Sequence, residues 1–247
     1  MEIANRTIRF VTEQGVDVPA VDSAQMREVD RIAVEETGPN LYQMMENAGR
    51  NLALLAIQLL DEGWQQAKVL VLAGSGGNGG GGICAARHLA NRNVKVAVCL
   101  AEPATLRGVP AFQRKILQST SAKEIPFDQI TDQQPDLVLD ALVGYGLNAA
   151  PKGPVAELIV WTTSYRAPVL ALDVPSGVDA TSGQTPGAFV SARWTLTLAL
   201  PKTGLLPRLT GDLYLGDIGI PDQVYRCIGI KYVSPFGLHS WVRLRNR

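Results

Sequence analysis

The stretch KVLVLAGSGGNGGGGICAARHLANRNVKVAVCL, residues 68–100, sets the predicted fold. It begins with a continuous apolar run, residues 69–72, typical of a strand buried on both faces. A glycine-rich segment, residues 74–82, then leads into apolar residues at helical spacing and a second apolar run, residues 94–100. This order predicts a parallel βαβ unit with its loop at a helix N-terminus. Backbone N–H groups and the helix dipole there favour an anionic ligand, which glycine lets approach closely.

The glycine segment also matches the dinucleotide fingerprint G-x-G-x-x-G, at residues 74–79. Glu102 follows the next predicted strand, close to where a ribose-binding acid would lie, so a nicotinamide dehydrogenase is one hypothesis. A lone fingerprint is a weak signal, and no G-K-S/T sequence follows that would complete a phosphate-binding Walker loop. The two histidines, His88 and His239, are better explained as structural residues than as the acid or base of a dehydrogenase.

The composition disfavours several classes of protein. The 247 residues include 23 Lys+Arg and 23 Asp+Glu, so no net charge directs the chain to nucleic acid or an anionic membrane. Cys84, Cys99 and Cys227 are scattered and odd in number, which argues against a disulfide framework or a metal cluster. No apolar run approaches the ~18 residues of a membrane span, and the start lacks a signal-peptide pattern. We therefore expect a soluble, cytoplasmic protein.

Helical and strand patterns alternate along the rest of the chain. Asp22 or Ser23 is expected to cap a first helix, and a longer apolar helix is predicted over residues 41–62. Further strands are predicted at residues 136–142, 168–172, 194–200 and 213–220, and a helix at 154–163. This alternation predicts an α/β fold, a three-layer αβα sandwich with a mostly parallel sheet. We expect residues 1–20 to form an N-terminal arm and residues 21–247 a single domain.

Polar side chains follow two of the predicted strands, at the edge where a parallel α/β sheet keeps its ligands. Asp140 stands at the end of one strand, and the sequence DVPSGVD, residues 173–179, follows another. Each carboxylate alone is equally well explained as the cap of a following turn or helix. Two carboxylates beside a glycine segment that carries Asn78 favour a binding or catalytic site.

Several motifs, taken together and in order, resemble one protein family. They are MENAGR at residues 45–50, GSGGNGGGG at 74–82, AARHL at 85–89, DLVLDALVGYGL at 136–147, DVPSGVDA at 173–180, LPKTGL at 200–205 and DIGIP at 217–221. The chain resembles the NAD(P)H-hydrate epimerases, the YjeF N-terminal domain family that includes apolipoprotein A-I-binding protein. The resemblance covers about residues 21–221, which is most of the chain.

The resemblance implies a Rossmann-like fold and a homodimer with an isologous interface near the 41–62 helix. The implied reaction interconverts the R and S epimers of hydrated NADH or NADPH, a repair of nicotinamide nucleotides. A separate NAD(P)H-hydrate dehydratase would act as the pathway partner on the S form. The resemblance also implies one potassium ion (K+) per subunit, held by Asn78, Asp140 and Ser176. Such hard oxygen ligands suit a monovalent cation better than zinc or magnesium.

The residues in contact with the substrate are also carried over from the resemblance. They are Gly77, Asn78, Gly79, Gly80, Gly81, Gly144, Tyr145, Gly146, Leu147, Asn148, Ala149, Ala150 and Asp173. Epimerisation at C6 of the nicotinamide ring needs a proton to be removed or ring opening to be assisted, for which a strand-end carboxylate is suited. Asp173 is therefore the candidate catalytic acid or base.

Two segments depart from the family pattern. Where the family has N-N-G-G-D-G, residues 77–82 read GNGGGG, so Gly77 and Gly81 replace an asparagine and a carboxylate. Where it has G-T-G-L-S-R-P, residues 144–150 read GYGLNAA, which puts the bulky Tyr145 in place of threonine and removes an arginine that could pair with phosphate. A second hypothesis is therefore a catalytically silent relative that binds a nucleotide or a protein on the same fold.

Overall fold

The computed structural model describes residues 9–247, in which ten strands form one sheet. The strands are β1 (Phe10–Thr12), β2 (Asp17–Val18), β3 (Lys68–Ala73), β4 (Lys95–Leu100), β5 (Lys123–Ile125), β6 (Leu137–Ala141), β7 (Val169–Leu172), β8 (Trp194–Leu198), β9 (Asp212–Gly216) and β10 (Trp241–Asn246). Their order across the sheet is β2-β1-β10-β9-β8-β7-β6-β3-β4-β5.

The helices pack on both faces of this sheet. They are α1 (Ser23–Ile32), α2 (Leu41–Leu60), α3 (Gly77–Ala90), α4 (Gly108–Leu117), α5 (Gly153–Ser164), α6 (Pro207–Thr210) and α7 (Asp222–Cys227), with a π-helical turn at Ala33–Thr37 and short 3₁₀ segments at Asp61–Gly63 and Phe127–Asp132. Asp22 caps α1, as predicted, through a reciprocal pair of hydrogen bonds with Gln25. Within residues 9–247, no helix has both the length and the apolar character needed to cross a bilayer.

The strands from β3 to β9 run parallel, which confirms the predicted mostly parallel α/β fold. Strands β4 and β5 extend the sheet on one side of β3, and β6 to β9 extend it on the other. The winding direction therefore reverses between β3 and β6. Ligands of open α/β sheets bind at such a reversal, beyond the carboxyl ends of the strands.

The predicted N-terminal arm differs from the structure over residues 10–18. Strand β1 pairs antiparallel with β10, β2 pairs with β1, and the side chains of Phe10 and Val18 are buried. These residues belong to the sheet because Phe10 packs into the core beside β10, a strand more than 200 residues later in the chain, and β10 itself was not predicted. Residues 1–8 of the expected arm lie outside the described residues.

The glycine segment is mostly helical rather than a loop, since α3 begins at Gly77. A Cβ on Gly79 would lie 1.8 Å from the carbonyl oxygen of Gly74, and a Cβ on Gly82 would lie 2.5 Å from the Cβ of Ala141. Both distances are far inside van der Waals contact. Glycine is required here because the first turns of α3 pack directly on the ends of β3 and β6.

A polar network joins α2 to α3. Glu46 accepts hydrogen bonds from Arg87 at 2.5 Å and contacts the Nε2 atom of His88 at 2.8 Å, while Arg87 donates to the Sγ atom of Cys84 at 3.2 Å. Burial opposes ionisation of Glu46, but the bonds from Arg87 and His88 lower its pKa to about 2. The guanidinium group of Arg87 lies among the carboxylate of Glu46, the thiol of Cys84 and the imidazole of His88. We therefore interpret the cluster as an ion-pair network, in which His88 is structural.

We expect Gly79→Ala to lower the free energy of unfolding by at least about 2 kcal/mol, since overpacking against a rigid backbone carbonyl cannot be relieved by a side-chain rotation. Gly76→Ala is the matched control. No atom lies within 4 Å of the position of its Cβ, and its φ of −90° suits any residue. Urea denaturation of both variants measures the difference. Equal stability of the two variants would contradict the packing role of Gly79.

Candidate active site

A cavity of about 530 Å³ lies over the carboxyl ends of the central strands. The start of α3, the segment after β6, the end of β7 and the segment after β8 form one side of it, and α1 and the first turns of α2 form the other. The cavity therefore opens at the reversal between β3 and β6. Its walls combine apolar side chains from α2 with polar groups from the strand ends, as ligand pockets commonly do.

The cavity collects eight of the predicted substrate residues: Gly77, Asn78, Gly81, Gly144, Tyr145, Gly146, Asn148 and Asp173. The other five, Gly79, Gly80, Leu147, Ala149 and Ala150, do not line it. Gly79 faces the backbone of Gly74, and a Cβ on Gly80 would meet the side chain of Met45 at 2.4 Å, so both serve helix packing. Ala149 is exposed, while Leu147 and Ala150 are half-buried outside the cavity wall.

Asp173 forms a buried ion pair with Lys202, and the two residues are only 4% and 1% exposed. The Nζ atom of Lys202 also donates to the carbonyl oxygen of Leu198 at 2.8 Å. The second carboxylate oxygen of Asp173 accepts the backbone N–H of Tyr145 at 3.0 Å. A buried ion pair whose remaining hydrogen-bonding groups are satisfied holds both charges in a fixed geometry. Asp173 is thereby presented to the cavity as an oriented carboxylate.

The backbone at Asp173 is in the left-handed region, with φ of 66°. On the neighbouring strand end, Ala199 has φ of 62°. Such conformations cost about 1–3 kcal/mol in residues other than glycine and persist where surrounding contacts enforce them. At Asp173 the enforcing contacts are the ion pair with Lys202 and the last ladder bond, in which the N–H of Asp173 donates to Leu196 at 2.7 Å. The strain coincides with the cavity wall.

Lys202 received no role from the sequence, although it lies within the LPKTGL motif. Its segment pairs with Val21 in an isolated parallel bridge, and this places the lead-in to α1 beside the end of β8. A lysine is rarely buried unless it is paired, and the partner here is 29 residues away in sequence. The one available signal was the position of a lysine just after a predicted buried strand.

A second carboxylate in the cavity, Asp30 on α1, was also not predicted from the sequence as a site residue. The hydroxyl of Tyr145 donates to it at 2.5 Å, and both residues line the cavity. Burial raises the pKa of Asp30, and it also raises the pKa of Tyr145, with the charge of Asp30 adding to that shift. In sequence, Asp30 looks like the solvated face of an amphipathic helix. Its neighbour is instead the bulky residue that departs from the family pattern.

Asp140 is fully buried beneath the cavity wall, at the end of β6. Its Oδ2 atom accepts the backbone N–H of Ser176 at 2.8 Å, and its Oδ1 atom accepts the Ser176 hydroxyl at 2.6 Å and the N–H of Leu142 at 3.2 Å. Burial raises the pKa of Asp140 to about 6. Within residues 9–247 these partners are neutral donors, so the negative charge has no cationic side chain bonded to it.

Asn78 reaches the same region from the first turn of α3. A Cβ on Gly144 would lie 3.1 Å from its Oδ1 atom, and its Nδ2 atom is buried without a hydrogen-bond partner among residues 9–247. The adjacent Val143 donates its N–H to the Ser176 hydroxyl at 2.9 Å. The segment of residues 143–144 therefore lies between Asn78 and the Asp140–Ser176 pair. The unpaired Nδ2 group of Asn78 is a hydrogen-bond donor, which an acceptor group of a bound ligand could satisfy.

Glu102 is exposed and does not line the cavity. The ribose-binding acid that a nicotinamide dehydrogenase would place after this strand is therefore not brought to the site. His239 is also exposed, and His88 is engaged by Glu46. The geometry gives no support to the dehydrogenase hypothesis.

These features define a Rossmann-like αβα protein with a polar ligand cavity at the reversal of its parallel sheet. The family model described as "YjeF-related protein N-terminus" matches residues 41–204. The chain belongs to this family, in agreement with the motifs in its sequence.

Relatives over nearly the full length are named as epimerases. A protein of Dehalogenimonas lykanthroporepellens, "NAD(P)H-hydrate epimerase", is 52% identical over 238 residues, covering 96% of this chain and 97% of the relative. One of Truepera radiovictrix with the same name is 36% identical, covering 91% and 100%. The "Bifunctional NAD(P)H-hydrate repair enzyme Nnr" of Hyperthermus butylicus is 36% identical, over 92% of this chain and 42% of the relative.

The fold has a counterpart among solved structures. The crystal structure of yeast ynu0 superposes with a TM-score of 0.81 at 20% sequence identity, covering 92% of this chain and 100% of that chain. At this identity the likeness supports the fold alone.

We expect Lys202→Ala to destabilise the protein by about 3–5 kcal/mol, because it leaves the Asp173 carboxylate buried and unpaired. The double variant Lys202→Met/Asp173→Leu should recover most of that loss, since it removes both charges together. Arg226→Ala breaks an exposed ion pair with Asp222 and should cost less than about 1 kcal/mol. Chemical denaturation of the three variants tests this order, and a Lys202→Ala cost no larger than that of Arg226→Ala would contradict it.

Proposed function

We propose that this protein is an NAD(P)H-hydrate epimerase, which interconverts the R and S epimers of hydrated NADH or NADPH. The observation that carries the proposal is the oriented carboxylate of Asp173 in the wall of the cavity. Relatives of this chain that are named as epimerases support it. The helix N-terminus of α3 on the same wall suits the anionic part of a nucleotide. The proposed partner in repair is a separate NAD(P)H-hydrate dehydratase. Bifunctional relatives named as repair enzymes support a dehydratase in the same pathway.

The reaction inverts C6 of the nicotinamide ring, a carbon that carries both a hydroxyl and the ring nitrogen N1. Inversion by ring opening needs a base to take the hydroxyl proton while the C6–N1 bond breaks. In the proposed mechanism Asp173 is that base. Lys202 and the N–H of Tyr145 fix its carboxylate, so no reorganisation of the carboxylate is needed when the proton moves.

A potassium ion per subunit is part of the proposal, with Asn78, Asp140 and Ser176 as its protein ligands. One observation of the site fits such an ion: the buried Asp140 carboxylate has neutral hydrogen-bond donors as its partners. Asn78 would contribute its amide oxygen. Hard oxygen ligands of low total charge suit a monovalent cation. When bound, the ion would supply a fixed positive charge beside the cavity, where it could attract the substrate phosphates.

The alternative of a silent relative rests on Gly77 and Gly81, which replace an asparagine and a carboxylate of the family pattern. Both positions line the cavity, so both losses alter its surface. An assay decides between the two functions: the purified protein is mixed with R-epimer hydrate and an S-specific dehydratase. Faster consumption of the R epimer than with the dehydratase alone supports the epimerase, and an unchanged rate supports the silent relative.

We also propose a homodimer. Leu41 and Tyr42 at the start of α2 are half exposed, and the Tyr42 ring packs edge-on against Phe112 of α4 at 5.3 Å between centroids. These side chains give the region around α2 an exposed apolar surface, which commonly marks a protein interface. Light scattering at micromolar concentration distinguishes this dimer from a 26.5 kDa monomer.

A nicotinamide nucleotide as substrate is in keeping with the cytoplasmic location expected from the sequence.

We expect Asp173→Asn to lower kcat by about 10²–10⁴-fold, because it removes the proposed base while keeping the size of the side chain. Asp212→Asn is a control that removes a carboxylate from an exposed ion pair with Arg243. Gly81→Asp restores the family carboxylate but places its Cβ 2.7 Å from the Leu172 side chain, and it should change kcat less than about tenfold. Initial rates of R-epimer consumption measure all three. A silent wild type rescued by Gly81→Asp would overturn the assignment of Asp173.

The proposed cation site predicts stabilisation by potassium. Between equal concentrations of KCl and N-methylglucamine chloride at pH 8, the wild-type Tm should be a few degrees higher in KCl, since a ligand that binds only the native state stabilises it. This difference should fade as the pH falls through about 6, where the raised pKa of Asp140 lets its carboxyl take a proton. Asn78→Ala, which alters a cavity residue, should reduce the difference. Equal wild-type Tm values in both salts would exclude the site.

A further inference from the structure

The proposed base does not account for the second carboxylate of the cavity. Asp30 and Asp173 are held in contrasting surroundings: Asp173 is paired with Lys202, whereas Asp30 accepts a hydrogen bond from the phenol of Tyr145. When two carboxylates in one site have environments that favour different protonation states, one is suited to act as a base and the other as an acid. An epimerase that opens a ring needs both.

We propose that Tyr145, supplied with a proton by Asp30, is the catalytic acid that protonates the ring nitrogen while Asp173 acts as the base. This assignment rests on the proposed epimerase function. Tyr145 would touch the substrate and is a catalytic residue in this scheme, whereas Asp30 acts through it.

Hydrogen bonds join Tyr145 to both carboxylates of the cavity. Its N–H donates to Asp173 at 3.0 Å, and its hydroxyl donates to Asp30 at 2.5 Å, so the side chain spans the distance between the two carboxylates. The hydroxyl of Ser23, at the start of α1, contacts the carbonyl oxygen of Tyr145 at 3.4 Å and ties the helix that carries Asp30 to the same segment. A substrate in the cavity would therefore lie between a proton acceptor and a proton donor.

The electrostatic surroundings favour a protonated Asp30. Burial raises the pKa of Asp30 above its usual range, and the hydrogen bond from Tyr145 and the charge of Lys202 offset this shift only in part. The charged and titratable groups around the Asp30–Tyr145 pair are Lys202, Asp173, Arg27 and, on α7, Tyr225. Asp173 pairs with Lys202, and the negative charge of Asp173 raises the pKa of Asp30 further. Asp30 can therefore keep a proton at a higher pH than a solvent-exposed carboxyl group does.

The proton transfers balance over the reaction. Asp173 takes the C6 hydroxyl proton, the freed electron pair forms the carbonyl double bond, and the C6–N1 electron pair moves to N1. The Tyr145 hydroxyl turns from Asp30 towards N1 and gives N1 its proton, and the phenolate oxygen then takes the carboxyl proton of Asp30 across the same contact. Rotation of the opened chain presents the other face of the carbonyl, and ring closure reverses every transfer. No oxidant, reductant or further reactant is consumed.

The assignment explains the departure at position 145. The family pattern has threonine there and a carboxylate at position 81, whereas this chain has Tyr145 and Gly81. Both positions lie in the cavity wall. A phenol long enough to reach Asp30 restores an ionisable proton source to a cavity that has lost a carboxylate.

The test uses Tyr145→Phe and Asp30→Asn in the full-length protein, with kcat and KM for the R epimer measured from pH 5 to pH 10. Tyr145→Phe should lower kcat by about 10²-fold or more with KM changed less than about threefold, since it removes only the hydroxyl. Tyr214→Phe is the matched control, because it removes a half-buried phenol hydroxyl on β9, outside the cavity. Its kcat should stay within about twofold of wild type.

The pH profile separates acid catalysis from simple packing. In the wild type, kcat should fall as the pH rises through the raised pKa of the Asp30–Tyr145 pair, because the relay then lacks its proton. Asp30→Asn should lower kcat and remove this alkaline fall. A Tyr145→Phe variant with wild-type kcat, or an Asp30→Asn profile that keeps the alkaline fall, would overturn this inference and leave the proposed function in place. A wild type without epimerase activity would overturn the proposed function and this inference with it.

Discussion

The close approach of α3 to the ends of β3 and β6 is the constraint on which the site depends. The helix can begin against these strands only because its first turns carry no side chain where they meet the carbonyl of Gly74 and the Cβ of Ala141. This contact brings the N-terminus of α3 and Asn78 to the reversal of the sheet. Gly79, which the sequence suggested as a ligand contact, thus fixes the helix and does not line the cavity.

Three carboxylates surround this helix start, and each is stabilised in a different way. Asp173 is neutralised by the ammonium group of Lys202, Asp140 by hydrogen bonds from Ser176 and a backbone N–H, and Asp30 by the phenol of Tyr145. Buried charges are costly unless they are paired or hydrogen-bonded, so each carboxylate depends on its own set of partners. The cavity and the wall beneath it therefore hold three carboxylates in chemically different surroundings.

The sequence was sufficient for the parallel half of the fold, because continuous apolar runs mark β3, β6 and β7, and strand ends mark Asp140 and Asp173. It was insufficient where distant segments decide the outcome. Strand β1 is short and gains its place only by pairing with β10 at the other end of the chain. Lys202 and Asp30 resemble surface residues in the sequence, and only tertiary contacts pair Lys202 with Asp173 and Asp30 with Tyr145.

The two outer strands of the described sheet bear on how this molecule can associate. Strand β2 has two residues, one of them Asp17, and β5 has three, of which Lys123 and Glu124 are exposed. Short outer strands with charged side chains make poor templates for hydrogen bonding to a strand of another molecule. The outer strands of the described sheet thus disfavour its extension by a strand of another molecule. Any association of copies would therefore use helical surfaces, where side-chain contacts rather than backbone hydrogen bonds determine the partner.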